Sequence, residues 1–475
     1  MKIVKNFLYN ASYQVFVLLI PLITTPYLAR VLGPTGVGIN SYTNSIIQYF
    51  ILFGSIGVNL YGNRQVAFVR EDKKLLSATF FEIFLMRLMT IIIAYIMFVC
   101  FLLFSKQYQT YYLMQSISII AAAFDISWFF MGMEDFAVTV LRNLLIKIVT
   151  LVSIFSFVKS KDDLAIYILI LSLSLLLGNM TLFPNLKKYI SKPNFKDLNI
   201  WQHFKPSMSL FMPQIATQIY LVVNKTMLGS MTSVQAAGYF DQSDKLVKMI
   251  LAIVTATGTV MLPHVANAFA NGHHEKTKKY LYTSVQFVTA ISMPMMFGLM
   301  AVSRKFVPLF FTEKFVQVIP LITIEACVIL LIAWSNALGT QYLLPTKQIR
   351  AYTTSVILGA VVNIILNVPL IALWGAVGTT IATVISELTV TVYQLYAIRK
   401  QVQYKKLFTD VSKYLVAGLV MWVGVYSFDV MLPATWLMLG LEVVFGATVY
   451  IILLILLKVQ ILRIAVETIN SRKQK

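Results

Sequence analysis

An all-α integral membrane fold is what this sequence predicts, and three observations predict it. Of 475 residues, 58% are hydrophobic and only 12% are charged. The apolar residues fall in long unbroken runs, unlike the alternating segments of about ten residues found in outer-membrane barrels. The cations, 39 Lys and Arg against 19 Asp and Glu for a net charge of +20, lie mostly between those runs. A soluble globular enzyme is excluded. Nucleic-acid binders reach strong basicity through a charge-rich surface, so no nucleic-acid partner is expected either. At roughly 20 apolar residues per crossing, about 14 transmembrane helices fit the length.

The first apolar stretch, 7–29, follows Lys2 and Lys5 and lacks a small-residue cleavage site, so it reads as a span rather than a signal peptide. Leu32-Gly33-Pro34-Thr35-Gly36 then makes a turn into the second span, 37–61, and spans at 75–104, 110–131, 136–158 and 163–183 complete a set of six. The longest hydrophilic connection, 184–206, holds five lysines between Pro184 and Pro206 and reads as a linker. A second set follows at 207–229, 236–266, 279–302, 316–343, 351–370 and 373–397, with two further spans at 411–431 and 434–457. The expected organisation is an N-lobe over 1–183, a cytoplasmic linker over 184–206, a C-lobe over 207–397, and spans 13 and 14 with a cytoplasmic tail over 398–475. With the N-terminus inside, 26 cations fall in cytoplasmic segments and seven outside, so both termini are expected to be cytoplasmic. Arg87, Arg142, Lys147, Lys225, Lys245 and Lys248 remain within spans. An internal echo links the halves: Arg30-Val31-Leu32-Gly33 closes the first span and Lys225-Thr226-Met227-Leu228-Gly229 the seventh, with Gly38 and Gly238 at the start of the spans that follow. Such repeats are common in secondary transporters.

Polar residues form stripes on four spans at equivalent places in the two halves. At about 100° per residue, Asp241, Asp244, Lys245 and Lys248 share one arc of the eighth span, and Thr255 and Thr259 continue it. Asn40, Asn44, Gln48, Ser55 and Asn59 share a face of the second; Asn10, Gln14 and Thr24 align on the first; Ser207, Gln214, Gln218 and Lys225 align on the seventh. A charge facing lipid at a helix centre costs at least about 2.5–3.5 kcal/mol, so these faces line protein or water. Two readings stand: a hydrated central cavity, or interhelical hydrogen-bond glue in which the aspartates pair with Lys245 and Lys248. Arg87, Lys147, Asp125, Glu325 and Glu387 are ion pairs within a lobe or transport residues. Glu82, Arg142 and Glu442 read as structural or interfacial, since long side chains near span ends snorkel to water.

No P-loop is present, the four histidines lack metal-ligand spacing, and Cys100 and Cys327 are far apart in apolar runs, so no cofactor, metal site or disulfide is expected. Short outer connections with no acid-base pair make an enzyme the weaker class.

Arg30-Val31-Leu32-Gly33-Pro34-Thr35-Gly36-Val37-Gly38, with Ser41-Tyr42 and Tyr61-Gly62-Asn63-Arg64, resembles the N-terminal signature of bacterial polysaccharide repeat-unit flippases, the Wzx-like branch of the multidrug/oligosaccharidyl-lipid/polysaccharide exporter superfamily. Ser127-Trp128-Phe129-Phe130-Met131-Gly132-Met133-Glu134 with Arg142-Asn143, then Lys225 to Gly229, Gly238-Tyr239, Gly258 to Pro263 and Leu338 to Thr346 are similar to its later motifs. The resemblance implies two six-helix lobes in a V-shaped exporter fold plus two C-terminal helices in the bacterial plasma membrane. It implies a flippase that carries an undecaprenyl-diphosphate-linked oligosaccharide outward by alternating access, for capsule, O-antigen or exopolysaccharide synthesis, with a polysaccharide polymerase and glycosyltransferases as partners. In related lipid II flippases a basic residue follows an Asp early in the eighth span and engages the diphosphate; Asp244-Lys245 matches that place, with Lys instead of Arg. Asn224 stands where relatives often carry Asp, and the first span has no acid. On this reading Lys225, Lys245 and Lys248 bind the diphosphate, while Asn10, Gln14, Asn40, Asn44, Gln48, Asn59, Gln214, Gln218, Asp241 and Asp244 make the cavity polar. A small-molecule multidrug exporter of the same fold and a membrane-embedded polysaccharide polymerase are the alternatives.

Overall fold

The computed structural model describes the backbone of residues 2–461, and their side chains except at 2–18, 212–214, 216–217, 219–221 and 257–260. Asn10, Gln14, Gln214 and Thr259, and the tail cations from Arg463 onward, therefore lie outside the described residues.

Every regular element among the described residues is helical. The first helix, α1 (Lys2–Ser55), is two arms broken at Gly33, with φ 65° and ψ −178°. That left-handed φ suits a residue without a Cβ, and Pro34, which has no N–H to continue the ladder, opens the second arm. Gly57, at φ 68°, starts α2 (Val58–Val69), and Asp72 caps α3 (Lys73–Phe104) by accepting from the amides of Lys74 and Leu75. There follow α4 (Gln109–Ala123), α5 (Ser127–Gly132), α6 (Phe136–Phe157), α7 (Leu164–Met180), α8 (Phe183–Leu186), α9 (Phe204–Met231), α10 (Val234–Ala270) and α11 (His274–Phe310). The remainder are α12 (Val318–Glu325), α13 (Cys327–Ser335), α14 (Ile349–Trp374), α15 (Ala376–Ile398), α16 (Tyr404–Leu407), α17 (Val411–Met431) and α18 (Trp436–Leu456). The Asn336–Leu343 stretch of the C-terminal motif is π-helical.

Among the described residues, 11 helical stretches are long and apolar enough to cross a membrane, or 12 if the bent pair Val234–Ala256 and Met261–Ala270 is one span. The sequence reading of about fourteen differs for physical reasons. The first two expected spans form one helical run, Leu19–Val69, bent rather than separated by a loop. The seventh, α9, is not among those stretches and carries Gln214, Gln218, Asn224 and Lys225 along its length.

The chain packs as two compact units, Met1–Gly238 and Tyr239–Lys475. In the first, Trp128, Phe129 and Phe130 are fully buried against Val58, Tyr61, Phe80 and Ile83. Gly62 makes room for the indole, since a Cβ there would stand 2.5 Å from the Trp128 ring. The stretches Tyr61 to Arg64 and Ser127 to Glu134 are thus halves of one packing contact. The 184–206 connection is docked rather than loose: Ser191 N donates to Ser77 Oγ at 3.0 Å and Tyr189 Oη to Asp135 Oδ2 at 2.6 Å. In the second unit α14 and α15 form a tight pair, with Gly378 so close to α14 that a Cβ would stand 1.9 Å from the Leu370 carbonyl oxygen.

The two echoed glycines meet. A Cβ on Gly38 would lie 2.0 Å from the Val234 carbonyl oxygen, and one on Gly238 2.8 Å from the Gly38 Cα. Both clashes are with backbone, which cannot turn aside. Gly38→Val is therefore expected to destabilise the protein by about 1–3 kcal/mol, read as a lower midpoint of thermal unfolding in detergent. Gly440→Ala, where an added Cβ meets nothing within 4 Å, should leave the midpoint unchanged or raise it.

Candidate functional site

On α10 the four charged residues are paired. Lys245 Nζ lies 2.5 Å from Asp241 Oδ2, and Lys248 Nζ lies 2.7 Å from Asp244 Oδ2, both at i,i+4. The carboxylates are the buried partners, with side chains 4% and 13% exposed, whereas both lysine side chains are 44% exposed. The acids thus anchor the ammonium groups at the helix surface. An ammonium has three donors, so one held by a carboxylate retains donors for a second acceptor. The local charge of the four residues sums to zero, which lowers the penalty of placing them in an apolar segment.

In the first unit the polar faces divide. Asn40 is tied inward: its Oδ1 accepts from Gln115 Nε2 at 3.2 Å. Asn59 Oδ1 accepts from the Arg87 guanidinium at 2.7 Å. Asn44 is exposed and accepts from the half-buried Gln48 at 3.4 Å. On α9, Gln218 is exposed, Asn224 is buried and Lys225 is half-buried. Ser45 and Thr226 hydroxyls meet at 2.8 Å and join α1 to α9. The interhelical reading has its members here: Asn40 and Asn59 serve interhelical bonds, and the aspartates of α10 pair with Lys245 and Lys248. Asn44, Gln218, Lys245 and Lys248 are exposed on their helices.

Three further clusters gather intramembrane charges of the described residues. Arg87, 2% exposed, donates to the Asp125 carbonyl oxygen at 2.9 Å and lies 3.6 Å from the Asp125 carboxylate. The expected lobe-internal ion pair is present. Of the two readings of Glu82 the structural one fits: it is buried beneath the docked connection and accepts from Asn199 N at 2.7 Å and Gln202 Nε2 at 3.0 Å. His203 bridges it to the first unit's core, with Nε2 2.8 Å from Glu82 Oε2 and Nδ1 2.7 Å from Tyr61 Oη. Glu442 is likewise structural: it is buried 2.5 Å from Lys305 Nζ, and Asp429 stands 3.7 Å from the same ammonium. Lys305, one of the seven cations that the span boundaries place outside because it follows the expected ninth span, 279–302, is a buried residue of α11 that ties down α17 and α18. The sequence signal for this cluster was one lone acid in each of two apolar spans and a lysine near the end of a third.

Residues 3–269, more than half the chain, match the family described as polysaccharide biosynthesis protein. The chain is 21% identical over 403 residues to the putative O-antigen transporter of Escherichia coli (strain K12), covering 83% of this chain and 96% of that one. It is 20% identical over 268 residues to a probable low-salt glycan biosynthesis flippase, Agl15, of Haloferax volcanii, covering 55% of each. Its fold is similar to a solved structure of the lipid II flippase MurJ in an inward closed conformation, with TM-score 0.73, 17% identity, and coverage of 94% and 98% of the two chains. The expected resemblance and the all-helical membrane fold are borne out.

Lys305→Met should be strongly destabilising, by about 3–5 kcal/mol, because it leaves Glu442 and Asp429 buried without their cation. Adding Glu442→Gln should recover part of that loss, and thermal unfolding of the two variants in detergent measures both effects.

Proposed function

The chain belongs to the polysaccharide biosynthesis protein family, and from that premise we propose that it is a flippase. It moves undecaprenyl-diphosphate-linked oligosaccharide repeat units from the cytoplasmic to the outer leaflet of the bacterial plasma membrane, for capsule, O-antigen or exopolysaccharide synthesis. The observation that carries this reading is the family match together with the named transporter and flippase relatives, one of which the chain parallels over 96% of its length.

The physical task is to lower the cost of passing a charged, sugar-bearing head group through hydrocarbon. No bond need be broken, so the protein is not an enzyme on this reading. The diphosphate meets Lys245 and Lys248, whose exposed ammonium groups are held by Asp241 and Asp244, and Lys225. Asn44, Gln48, Gln214 and Gln218 offer hydrogen bonds to the sugars, Asn40 and Asn59 being engaged by Gln115 and Arg87, and the polyprenyl tail remains in lipid. Lobes over 1–183 and 207–397 alternate access to the two leaflets, with the 184–206 connection and both termini on the cytoplasmic side and spans 13 and 14 as accessory membrane helices. Direction comes from consumption of the product outside by a polymerase, from an ion gradient, or from both, and glycosyltransferases complete the repeat unit beforehand.

Charge-assisted contacts to phosphate are worth about 1.5–3 kcal/mol each. The double variant Lys245→Ala, Lys248→Ala is therefore expected to lower surface polysaccharide, or flipping in proteoliposomes, at least tenfold at equal membrane abundance. Wild-type levels from that variant would overturn the assignment, and drug resistance conferred without any effect on polysaccharide would favour a multidrug exporter.

A further inference from the structure

Between Pro184 and Pro206 the chain carries five lysines and a single acid, Asp197, which accepts from Asn194 Nδ2 at 2.7 Å. Lys187, Lys188, Lys192, Lys196 and Lys205 are all exposed. Two large aromatic side chains of the same stretch are exposed as well, Phe195 at 63% and Trp201 at 59%. The bias of cations toward one side of the membrane accounts for lysines in a connection. It does not account for exposed aromatic rings among them.

Where the connection lies decides what those groups meet. It is fixed to the first turns of the membrane-crossing helix α3. Ser191 N donates to Ser77 Oγ, Phe195 packs on Phe81 with ring centroids 5.8 Å apart, and Asn199 N donates to Glu82 Oε1. Trp201 stands against Phe204, the first residue of α9, again at 5.8 Å. With 32 residues, α3 is about 48 Å long. Centred on a hydrocarbon core of about 30 Å, it leaves about 9 Å at each end for the head-group layer. Ser77, Phe81 and Glu82 stand roughly 6–14 Å along the axis from Lys73, the residue that opens α3. The connection therefore runs along the edge of the bilayer, at the boundary between head groups and hydrocarbon.

We propose that the docked connection binds acidic lipid head groups of the leaflet it touches. Its five lysines meet their phosphates, while Trp201 and Phe195 seat at the hydrocarbon edge. Each part has a physical reason. Indole and phenyl rings are favoured at that depth, and a juxtamembrane cluster of four or more lysines is attracted by the negative potential of acidic lipids. A soluble acidic protein matches the lysines but not two rings held level with the hydrocarbon edge. The proposal depends on the membrane fold and not on what the protein carries.

The test reconstitutes the full chain in phosphatidylcholine vesicles that contain brominated phosphatidylglycerol or, at equal mole fraction, brominated phosphatidylcholine. The readout is the part of the tryptophan quenching that is lost in Trp201→Phe. It should be at least about twofold stronger with the brominated phosphatidylglycerol. That excess should vanish in about 1 M salt, where the Debye length shrinks to about 3 Å, and with Lys→Gln at all five positions. Lys→Arg at the same positions should keep it. Because the lysines are exposed, both sets of changes should leave the unfolding temperature in detergent as it is. Should the glutamine variant not fold, the salt titration of the natural chain decides alone. Absence of Trp201-dependent quenching overturns the proposal, since the connection then stands clear of the bilayer and open to a protein. Equal quenching by the two lipids overturns the role of charge, and an excess that survives both salt and the glutamine changes overturns the role of the lysines.

Discussion

A charge placed in hydrocarbon must be answered by another group, at a penalty of at least about 2.5–3.5 kcal/mol if it is not. This constraint organises much of the structure. Arg87 is met by Asp125 and Asn59, Glu82 by His203 and the backbone of the docked connection, and Lys305 by Glu442 and Asp429. Each cluster joins elements distant in sequence, so the demand for a partner also fixes which helices pack together. The Glu82 cluster holds the 184–206 segment against α2 and α3, and the Lys305 cluster holds the last two long helices against α11. Breaking such a pair is costly mainly because the survivor is left alone.

Close approach of backbones is the second device, and it explains most of the family-like motifs. Lipid tails are as apolar as leucine, so membrane helices gain little from hydrophobic burial against one another and depend on tight contact instead. Gly38 against Val234, Gly62 beneath Trp128 and Gly378 against Leu370 each leave no room for a methyl group. Gly229 is another: a Cβ there would stand 2.0 Å from the Tyr42 ring. Motifs that look functional in sequence are here the places where helices touch.

The fold class was legible because a bilayer imposes it: long apolar runs must be helices, and hydrophilic connections must lie outside. The bend at Gly33 was foreshadowed by Gly-Pro, but whether its two arms count as separate crossings depends on geometry that no hydropathy run records. For the candidate site, helical periodicity correctly grouped Asp241, Asp244, Lys245 and Lys248 on one face. It could not distinguish Asn40 and Asn59, which bond inward to Gln115 and Arg87, from Asn44, which does not, because that depends on which neighbour stands opposite. The partners of Glu82 and Lys305 were hidden for the same reason. Glu82 and His203 are separated by more than a hundred residues, as are Lys305 and Glu442.

Pairing on α10 answers the same penalty within a single helix. A lysine held by an aspartate one turn earlier is tolerable in an apolar segment, because Asp241 and Asp244 lie 2.5 and 2.7 Å from the ammonium groups of Lys245 and Lys248. Any further acceptor for those ammonium groups has to compete with the carboxylate or share the ammonium with it. The sequence sets this balance by placing an acid four residues before each lysine.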